Sequence, residues 1–407
     1  MPRMPMAIML AALTACLATA QDAAAPVSAI EVVSVRDLGA LGDRKADDTE
    51  AFEQAIKLAR ERKVPVHVPR GDYRLTRTVR LEGQLMIGQF AGGWPADSLP
   101  MPTLWIEHVS GPGIEMGACS SIHGLGIMYP EGTRFPEENA PPAISLAGGQ
   151  PTITSVRIQY PYAGIVTAQG AGPGRARLAD IFIVSPKHEG VYLTKSYDVS
   201  QLRNIEVWCN VGMSTGAGFR FGRNDDCSCS DLFAFNCHVG FFFETDEAEG
   251  GGRFYGSLMN CSTDACSLGY VVRGNHSFNL TTSDLINHHA SLDIEGEGAS
   301  IRLTGCHLQS NGAPAVVLKQ ASNLNIGTCL FSRAFDVDHF FINAQSCGSL
   351  TVMGCQFAPS SPGISLGEGV RRAVVMGNIL EAKHEGIRDN MSEDAKKILA
   401  PNLCEAP

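Results

Sequence analysis

The chain has 407 residues, of which 44% are hydrophobic and 18% are charged, and it contains 43 glycines. This composition allows a sizeable core and favours a turn-rich β protein over a helical one. The net charge of −10 argues against non-specific binding to nucleic acid or anionic membranes. It also disfavours a strongly anionic substrate, unless a local basic groove overrides the average.

Residues 1–20 are typical of an export signal. Arg3 is the only basic residue before an apolar run at 6–18, which is too short for a membrane span. No later segment reaches the ~20 apolar residues that a span needs. The sequence ATA before Gln21 fits a signal peptidase site, whereas LTAC ending at Cys16 fits a lipoprotein box with that cysteine lipidated. Both alternatives predict export to the periplasm, the extracellular space or the outer surface.

The segment 49–63 has the pattern of a helix. Four apolar residues with the spacing i, i+3, i+4 and i+7 form one face: Phe52, Ala55, Ile56 and Ala59. Asp47, with Glu50 three residues later, matches the start of a capping box, and Asp48 can accept the exposed N–H groups of the first turn. We therefore predict that these two aspartates start a helix and are not acids of an active site.

A repeat follows in the second half of the chain: a small residue, then Asn, Asp or Cys, then two apolar residues. It recurs every 22 to 27 residues, and its polar position falls at residues 180, 204, 231, 257, 284, 306, 329, 355 and 378. Leucine-rich repeats need a framework that is absent here, so the spacing predicts a parallel β-helix whose equivalent residues form columns. The polar residue suits a tight turn, and the two apolar residues after it are expected to face the interior. Asp180, Asp231 and Asp284 are thus expected to stabilise turns.

The sequence DLGALGDRKADDTEAFEQAI, followed by VPVHVPRGDYRL, resembles the N-terminal signature of the pectate-lyase-like superfamily. That superfamily includes polysaccharide lyases, polygalacturonase-like glycoside hydrolases and phage tailspike domains. The resemblance implies an all-β fold, a single right-handed parallel β-helix with a helical N-terminal cap at 33–80 and coils at 81–390. Residues 391–407 are predicted as a C-terminal helical tail with Ser392 as N-cap.

Five residues in the middle coils are candidates for catalysis. Glu206 lies in an otherwise apolar column, so we expect it to be buried with a raised pKa, as a general acid requires; the alternative is a register shift that turns it outward. Asp225 and Asp226, in the sequence NDDC, resemble one catalytic motif of polygalacturonases, whose other motifs are absent; the alternative is a polar turn. Asp231 and His238 lie in the same stretch. Carboxylates on neighbouring coils, ~4.8 Å apart, suit the ~5–10 Å separation of glycosidase acids.

A second set of residues is predicted to bind the substrate. The tetrapeptide KHEG occurs twice and places His188 and Glu189 in its first copy, although it also fits a loop-to-strand turn. Trp208 and His288 both fall four residues past a repeat position, so we expect them to share a column, with the tryptophan as a sugar-stacking platform. Arg223 completes the set. For each histidine, a structural role at the surface is the alternative.

Together these features predict an exported glycoside hydrolase that acts on a polysaccharide or oligosaccharide. A lyase or epimerase of uronic-acid polymers is the first alternative; Arg220, Arg223 and Tyr255 lie where such an enzyme would need a base. A non-catalytic adhesion protein is the second. No metal or cofactor is predicted, apart from calcium for a lyase, and the acidic loop 246–249 is either a lid, a cation site or solvated. The cysteines are expected to pack in the core, and the oligomeric state stays open, a homotrimer being compatible.

Overall fold

The computed structural model describes residues 31–89, 101–136, 140–210, 215–245, 251–381 and 385–404. The predicted export signal with Cys16, and the acidic residues at 246–249, lie outside the described residues. None of the helices in the described ranges is long and apolar enough to cross a membrane.

The predicted helix is confirmed as α1 (Thr49–Arg62), with Lys63 in the left-handed conformation at its C-terminal end. A 3-10 helix precedes it at Val35–Leu38. The four apolar residues of the predicted face are all buried against the first strands. This amphipathic pattern, rather than intrinsic propensity, holds the helix in place.

The two aspartates before α1 have structural partners. Asp47 accepts the backbone N–H of Thr49 at 3.1 Å and the hydroxyl of Thr76 at 2.6 Å. Asp48 stands at the N-cap position but does not cap the helix; its buried carboxylate instead accepts the N–H groups of Leu41 and Gly42. The carboxylates therefore fix the helix start and the preceding loop, which supports the prediction that they are not catalytic.

The described residues form 35 strands. Those before residue 210 are Val33–Ser34, Asp43–Asp47, Val66–His67, Asp72–Leu75, Val79–Leu81, Leu85–Ile87, Thr103–Ile106, Ile114–Met116, Ser121–Met128, Ile144–Leu146, Thr152–Gln159, Ile165–Thr167, Arg177–Val184, Val191–Leu193 and Ser200–Trp208. Those from residue 215 to residue 310 are Ala217–Phe221, Asn224–Phe235, Val239–Glu244, Phe254–Met259, Ser262–Cys266, Leu268–Arg273, Ser277–Thr281, Asp284–Asn287, Leu292–Thr304 and His307–Ser310. The last are Val316–Gly327, Leu330–Ser332, Ile342–Met353, Gln356–Phe357, Ile364–Val370, Arg372–Met376, Ile379–Leu380, Ile387–Asp389, Lys396–Ile398 and Leu403–Cys404.

The strands form a parallel β-solenoid of about 13 turns, as the repeat predicts. Each coil contributes one segment to each of three parallel sheets. In the middle coils, sheet 1 contains 177–179, 201–203 and 227–230, and sheet 2 contains 181–184, 205–208 and 232–235. Sheet 3 contains Val191–Leu193, Ala217–Phe221 and Val239–Glu244. Each segment pairs with the equivalent segment of the next coil.

One residue with positive φ turns the chain from sheet 1 to sheet 2 in eleven successive coils. This corner column contains Gly124, Ser155, Asp180, Asn204, Asp231, Asn260, Thr282, Gly305, Thr328, Gly354 and Gly377. The predicted turn positions 180, 204 and 231 are confirmed. From residue 257 onward the predicted positions are wrong by one to three residues; in the last four coils the corner is the residue directly before the predicted cysteine or asparagine.

The residue after the corner faces the interior, and the one after that faces outward. Ile181, Ile205 and Leu232 are buried, whereas Phe182, Glu206 and Phe233 are only partly buried. The expectation that both residues face the interior is therefore wrong, because side chains in a strand alternate between its two faces.

The interior consists of stacked equivalent side chains. In the coils after residue 260, the column that follows the corner is made of small polar and thiol groups, including Cys261, Ser283, Cys306 and Asn378. Of the 11 cysteines for which burial is described, ten are buried, in agreement with the predicted packing role. Beneath sheet 3, Phe241 stacks between Phe219 and Tyr270 with ring centroids 4.8 and 4.5 Å apart.

The predicted C-terminal helix is wrong. Residues 392–395 form a single turn closed by a bond from the N–H of Ala395 to the carbonyl of Ser392, and Lys396–Ile398 then pairs in parallel with residues 372–374. Sheet pairing satisfies the backbone groups that the exposed last coil would otherwise leave unpaired, and it outweighs the local helix pattern.

Candidate functional site

The outer faces of sheets 2 and 3 contain two separate depressions in the middle coils. The first, here called the sheet-2 groove, has a volume of about 580 Å³ and is lined by four carboxylates and Phe233. The second, the sheet-3 cleft, has a volume of about 440 Å³ and is lined by His188, Glu189, Arg220 and His238. Some of the predicted site residues line these two depressions, and the others lie outside both.

Glu206 lies in the sheet-2 groove and is not buried. Its column continues in register from Phe182 to Phe233, so no register shift occurs; the whole column faces outward. The Nε1 of Trp208 donates to the Oε2 of Glu206 at 3.1 Å, and the indole ring packs on Phe235 at 4.6 Å. The expected buried acid is therefore a partly exposed carboxylate beside an aromatic ring.

Three more carboxylates line the sheet-2 groove. Asp231 is a corner residue whose Oδ1 accepts the side-chain amide of Asn260 at 2.8 Å, which is the turn-stabilising role predicted for it. Asp264 lies in the outward column of Trp208. Asp284, predicted as a turn residue, is instead on an outward-facing strand position, exposed, beside His307. The groove collects acids from four successive coils.

Asp225 and Asp226 do not join these acids. They lie on a bulge at the opposite end of their strand from Asp231, where the register with the next coil shifts between Asn224 and Cys227. Arg223, beside them, places its guanidinium 4.8 Å from the ring of Tyr197. These three residues line neither depression, so the structure separates them from the other candidates.

His288 does not share a column with Trp208, contrary to expectation. The column of Trp208 passes through Phe235 and Asp264 to Ile286. His288 lies in the turn after that strand, where it is exposed and lines neither depression. The corner of that coil is Thr282 and not the predicted residue 284, so His288 lies six residues after its corner, whereas Trp208 lies four residues after Asn204.

The sheet-3 cleft is built around the buried carboxylate of Glu189. Its Oε2 lies 2.5 Å from the Nδ1 of His188, and its Oε1 accepts the Nη1 of Arg220 at 2.6 Å. Arg220 is also paired with Glu244 and stacks over Tyr192 at 4.4 Å. Only 8% of the Glu189 side chain is exposed, so these partners replace water around its charge.

The ion pairs keep Glu189 charged. Burial raises the pKa of this carboxyl, but the hydrogen bonds of His188 and Arg220 and the positive charge of Arg220 outweigh burial, so the net pKa lies below its ordinary value. Glu189 is therefore a fixed carboxylate that holds and orients His188, not a proton donor. In the neutral imidazole, a proton held on Nδ1 by Glu189 leaves Nε2 as the proton acceptor.

An aromatic pocket of about 420 Å³ adjoins the cleft on the side of the earlier coils. It is lined by Pro130, Phe135, Tyr160, Tyr162 and Lys187 among others. Thr215 lines both the pocket and the cleft, and the ring of Tyr162 stacks on that of His188 at 5.6 Å and 3°.

The sequence contained a signal for Arg220 and, in the tetrapeptide KHEG, one for Glu189, but none for the contact between them. Arg220 is the charged residue between Phe219 and Phe221, which are both buried, so strand alternation alone turns it outward. Its pairing with Glu189, 31 residues away, depends on the length of the turn between sheets 2 and 3. Asp264 had no distinguishing pattern.

In the part of the chain that the structure describes, no group of three or more His, Cys, Asp or Glu side chains is arranged to hold a metal ion. The calcium that a lyase would use stays a prediction.

Residues 32–91 match the family described as rhamnogalacturonase A/epimerase, pectate lyase-like. The chain has the pectate-lyase-like fold. A stretch of 55 residues is 40% identical to the pre-neck appendage protein of Bacillus phage B103; it is 14% of this chain and only 6% of the phage protein.

Two solved β-helices share the fold along most of the chain. The N-terminal fragment of gene product 12 of bacteriophage phi29 has a TM-score of 0.54 and 12% identity, covering 98% of this chain and 74% of the fragment. The catalytic domain of a GH87 alpha-1,3-glucanase in complex with tetrasaccharides has a TM-score of 0.50 and 13% identity, covering 84% of this chain and 66% of that domain. At these identities the likeness shows the fold alone.

Proposed function

We propose that this protein processes a uronic-acid glycan, and that His188 in the sheet-3 cleft removes the proton next to the sugar carboxylate. The observation that carries the proposal is the buried Glu189 carboxylate, bonded to His188 on one side and to Arg220 on the other. A charged group so buried and paired within a cleft is the kind of perturbed group that marks functional sites. The family description matched by residues 32–91 names an epimerase beside rhamnogalacturonase A and is pectate lyase-like, so it is compatible with this chemistry.

The first step needs one base. Glu189 holds the proton on Nδ1 of His188, and Nε2 accepts the proton from the sugar carbon next to the carboxylate. In elimination, the electron pair of that C–H bond forms a C=C bond, and the neighbouring glycosidic C–O bond breaks. The leaving oxygen then takes a proton, for which His238, exposed in the same cleft, is our candidate donor. In epimerisation, a proton returns to the same carbon from the opposite face.

Three cationic side chains lie at this cleft or the adjoining pocket, and two of them, Arg220 and Arg273, are paired with carboxylates. Lys187, Arg220 and Arg273 line the cleft or the adjoining pocket. Arg220 is already engaged by two carboxylates, so we assign it a positioning role: it holds Glu189, which in turn orients His188. Lys187 directly precedes His188 in the chain and is our candidate for pairing with the substrate carboxylate.

The test separates the reactions by product. Purified protein is incubated in D₂O with polygalacturonate, alginate and neutral glucans; elimination gives ultraviolet absorbance from the new double bond, and epimerisation gives deuterium on the sugar carbon. His188→Ala and Glu189→Gln are expected to lower turnover by at least ~10²-fold, the usual contribution of general acid–base catalysis. His288→Ala, an exposed histidine outside the cleft, is the matched control. Absence of both signals, or full activity of His188→Ala, refutes the proposal.

Glycoside hydrolysis in the sheet-2 groove is the second candidate. It is favoured by the pairing of Glu206 with Trp208 and by Asp231 on the next coil. Their backbone positions, one coil and two residues apart, are ~8 Å from each other, within the range of glycosidase acids. Hydrolysis gives new reducing ends without ultraviolet absorbance, and it would be abolished by Glu206→Gln but not by His188→Ala. Binding without any product would instead favour a non-catalytic adhesion role.

A further inference from the structure

We propose that the aromatic pocket beside the sheet-3 cleft is a binding subsite for a pyranose ring of the glycan chain, next to the ring on which His188 acts. The identification of that neighbouring ring rests on the proposed function, whereas the pocket itself does not. Of the residues assigned to the chemistry, only Lys187 lines this pocket.

The pocket and the cleft form one continuous depression along the solenoid. Thr215 lines both, and Lys187 in the pocket is followed directly by His188 in the cleft. Together they span turns of six successive coils, from Thr133 in the pocket to Leu268 in the cleft. Five coil steps of ~4.8 Å make a depression ~24 Å long, which suits an extended chain rather than a single small molecule.

The chemistry of the walls points to a sugar. The rings of Phe135 and Tyr162 lie 5.7 Å apart, and Tyr160 completes an aromatic lining on which the C–H face of a pyranose can stack. Lys187 stands at the rim: its Nζ donates to the carbonyl of Thr133 at 3.2 Å and lies 5.2 Å from the Phe135 ring centroid. An ammonium has three donors, so Lys187 also has capacity for an oxygen of the sugar.

Ring stacking also links the two sites. Tyr162 contacts Phe135 on one side and stacks against His188 on the other. A sugar ring seated on Phe135 is therefore held at a fixed distance from the proton-transfer residue, as positioning of a reacting bond requires.

The test measures binding apart from turnover. Tetrasaccharides of galacturonate, mannuronate and glucose are titrated calorimetrically into His188→Ala protein, with and without Phe135→Ala. We expect at least one tetrasaccharide to bind and Phe135→Ala to weaken it by ~10-fold, the scale of one lost aromatic contact. Phe335→Ala, which removes an exposed ring outside the pocket, is the matched control and should leave affinity unchanged. Phe135→Leu, which keeps the apolar volume but removes the ring face, repeats the measurement if the alanine variant does not fold.

The outcomes separate this proposal from the preceding one. The first outcome is binding that depends on Phe135 together with no turnover of any uronate by the wild-type protein. It supports the subsite and refutes proton transfer by His188. Turnover that depends on His188 but not on Phe135 refutes the subsite alone. The subsite is also refuted if none of the tetrasaccharides binds, or if both Phe135 variants bind as tightly as the parent.

Discussion

His276 should make the protein sensitive to mild acid. The side chain is completely buried, its Nδ1 accepts the backbone N–H of Phe254 at 3.0 Å, and its Nε2 lies 3.0 Å from the carbonyl of Arg273. Both bonds are satisfied only by the neutral ring with its proton on Nε2. A second proton, on Nδ1, would face the N–H of Phe254 and break that bond.

The magnitude follows from the pKa. Burial lowers the pKa of His276 from 6.5 to about 4, against the smaller opposing effect of the bond to the Arg273 carbonyl. The unfolded chain therefore takes up a proton near pH 6.5, and the folded chain does so only near pH 4. Stability is complete above the higher value and falls as the pH decreases towards the lower one. At ~1.4 kcal/mol for each pH unit, the loss amounts to roughly 3 kcal/mol.

The assay is denaturant unfolding, followed by tryptophan fluorescence between about pH 7 and pH 4.5; carboxylates that begin to titrate at the lower end are common to the wild type and the variants, so the difference between them isolates His276. His276→Asn keeps an acceptor for the Phe254 N–H but cannot be protonated, so its stability should change little over this range. His288→Asn controls for an exposed histidine. An equal loss of stability in the wild type and in His276→Asn would refute the argument.

Three further predictions concern the fold and the choice between sites. Phe331→Ala should destabilise the protein by about 3–5 kcal/mol in urea unfolding, because its buried ring stacks on Phe357 at 4.5 Å; Phe335→Ala, at an exposed position, should change stability by less than ~0.5 kcal/mol. Asp47→Ala should lower the free energy of unfolding by roughly 0.5–2 kcal/mol without changing the specific activity of the folded fraction, since it loses its bond to the first helical N–H. Trp208→Ala should leave uronate turnover unchanged in the product assay, and a large loss would move the active site to the sheet-2 groove.

The solenoid could be predicted from the sequence because only a few residue types are favoured at its corners. A residue in the left-handed conformation is strained unless it is glycine or a short polar residue, so Asp180 and Asn204 mark their corners reliably. In later coils the predicted corner positions are wrong because glycine or threonine occupies the corner and a buried cysteine follows it. The pair Thr328 and Cys329 shows the difficulty: Cys329, which the repeat pattern selects, is buried inside, and Thr328 makes the turn.

The outward position of Glu206 follows from the sequence without the register shift that the alternative interpretation invoked. Once the corner is fixed at Asn204, alternation along the strand places Ile205 inside and Glu206 outside, as it does for the neighbouring coils. The apolar character of Phe182 and Phe233 suggested an inner column, although aromatic residues are common on the partly exposed face of a groove. Apolar identity alone does not distinguish the two faces of a solenoid strand.

The contact between Glu189 and Arg220 could not be predicted from the sequence. The contact with Arg220 joins residues of successive coils through the turn between sheets 2 and 3, and the turn lengths vary from coil to coil. Only the folded register brings Arg220 onto the strand position beside this turn.

The buried ion pairs of the sheet-3 cleft contribute little to the stability of the fold, which is the main reason to connect them with function. Removing Glu189 and Arg220 from water costs several kcal/mol for each ion, and their attraction only about offsets that cost, so apolar residues of similar size would stabilise the coil equally well. Farther along sheet 3 the outward column of Arg220 contains apolar residues, Val271 and Val317, and between them Asp293, which is paired with Arg273. A buried carboxylate that the fold does not need, placed against a histidine in a cleft, fits the orientation of a proton-transfer residue.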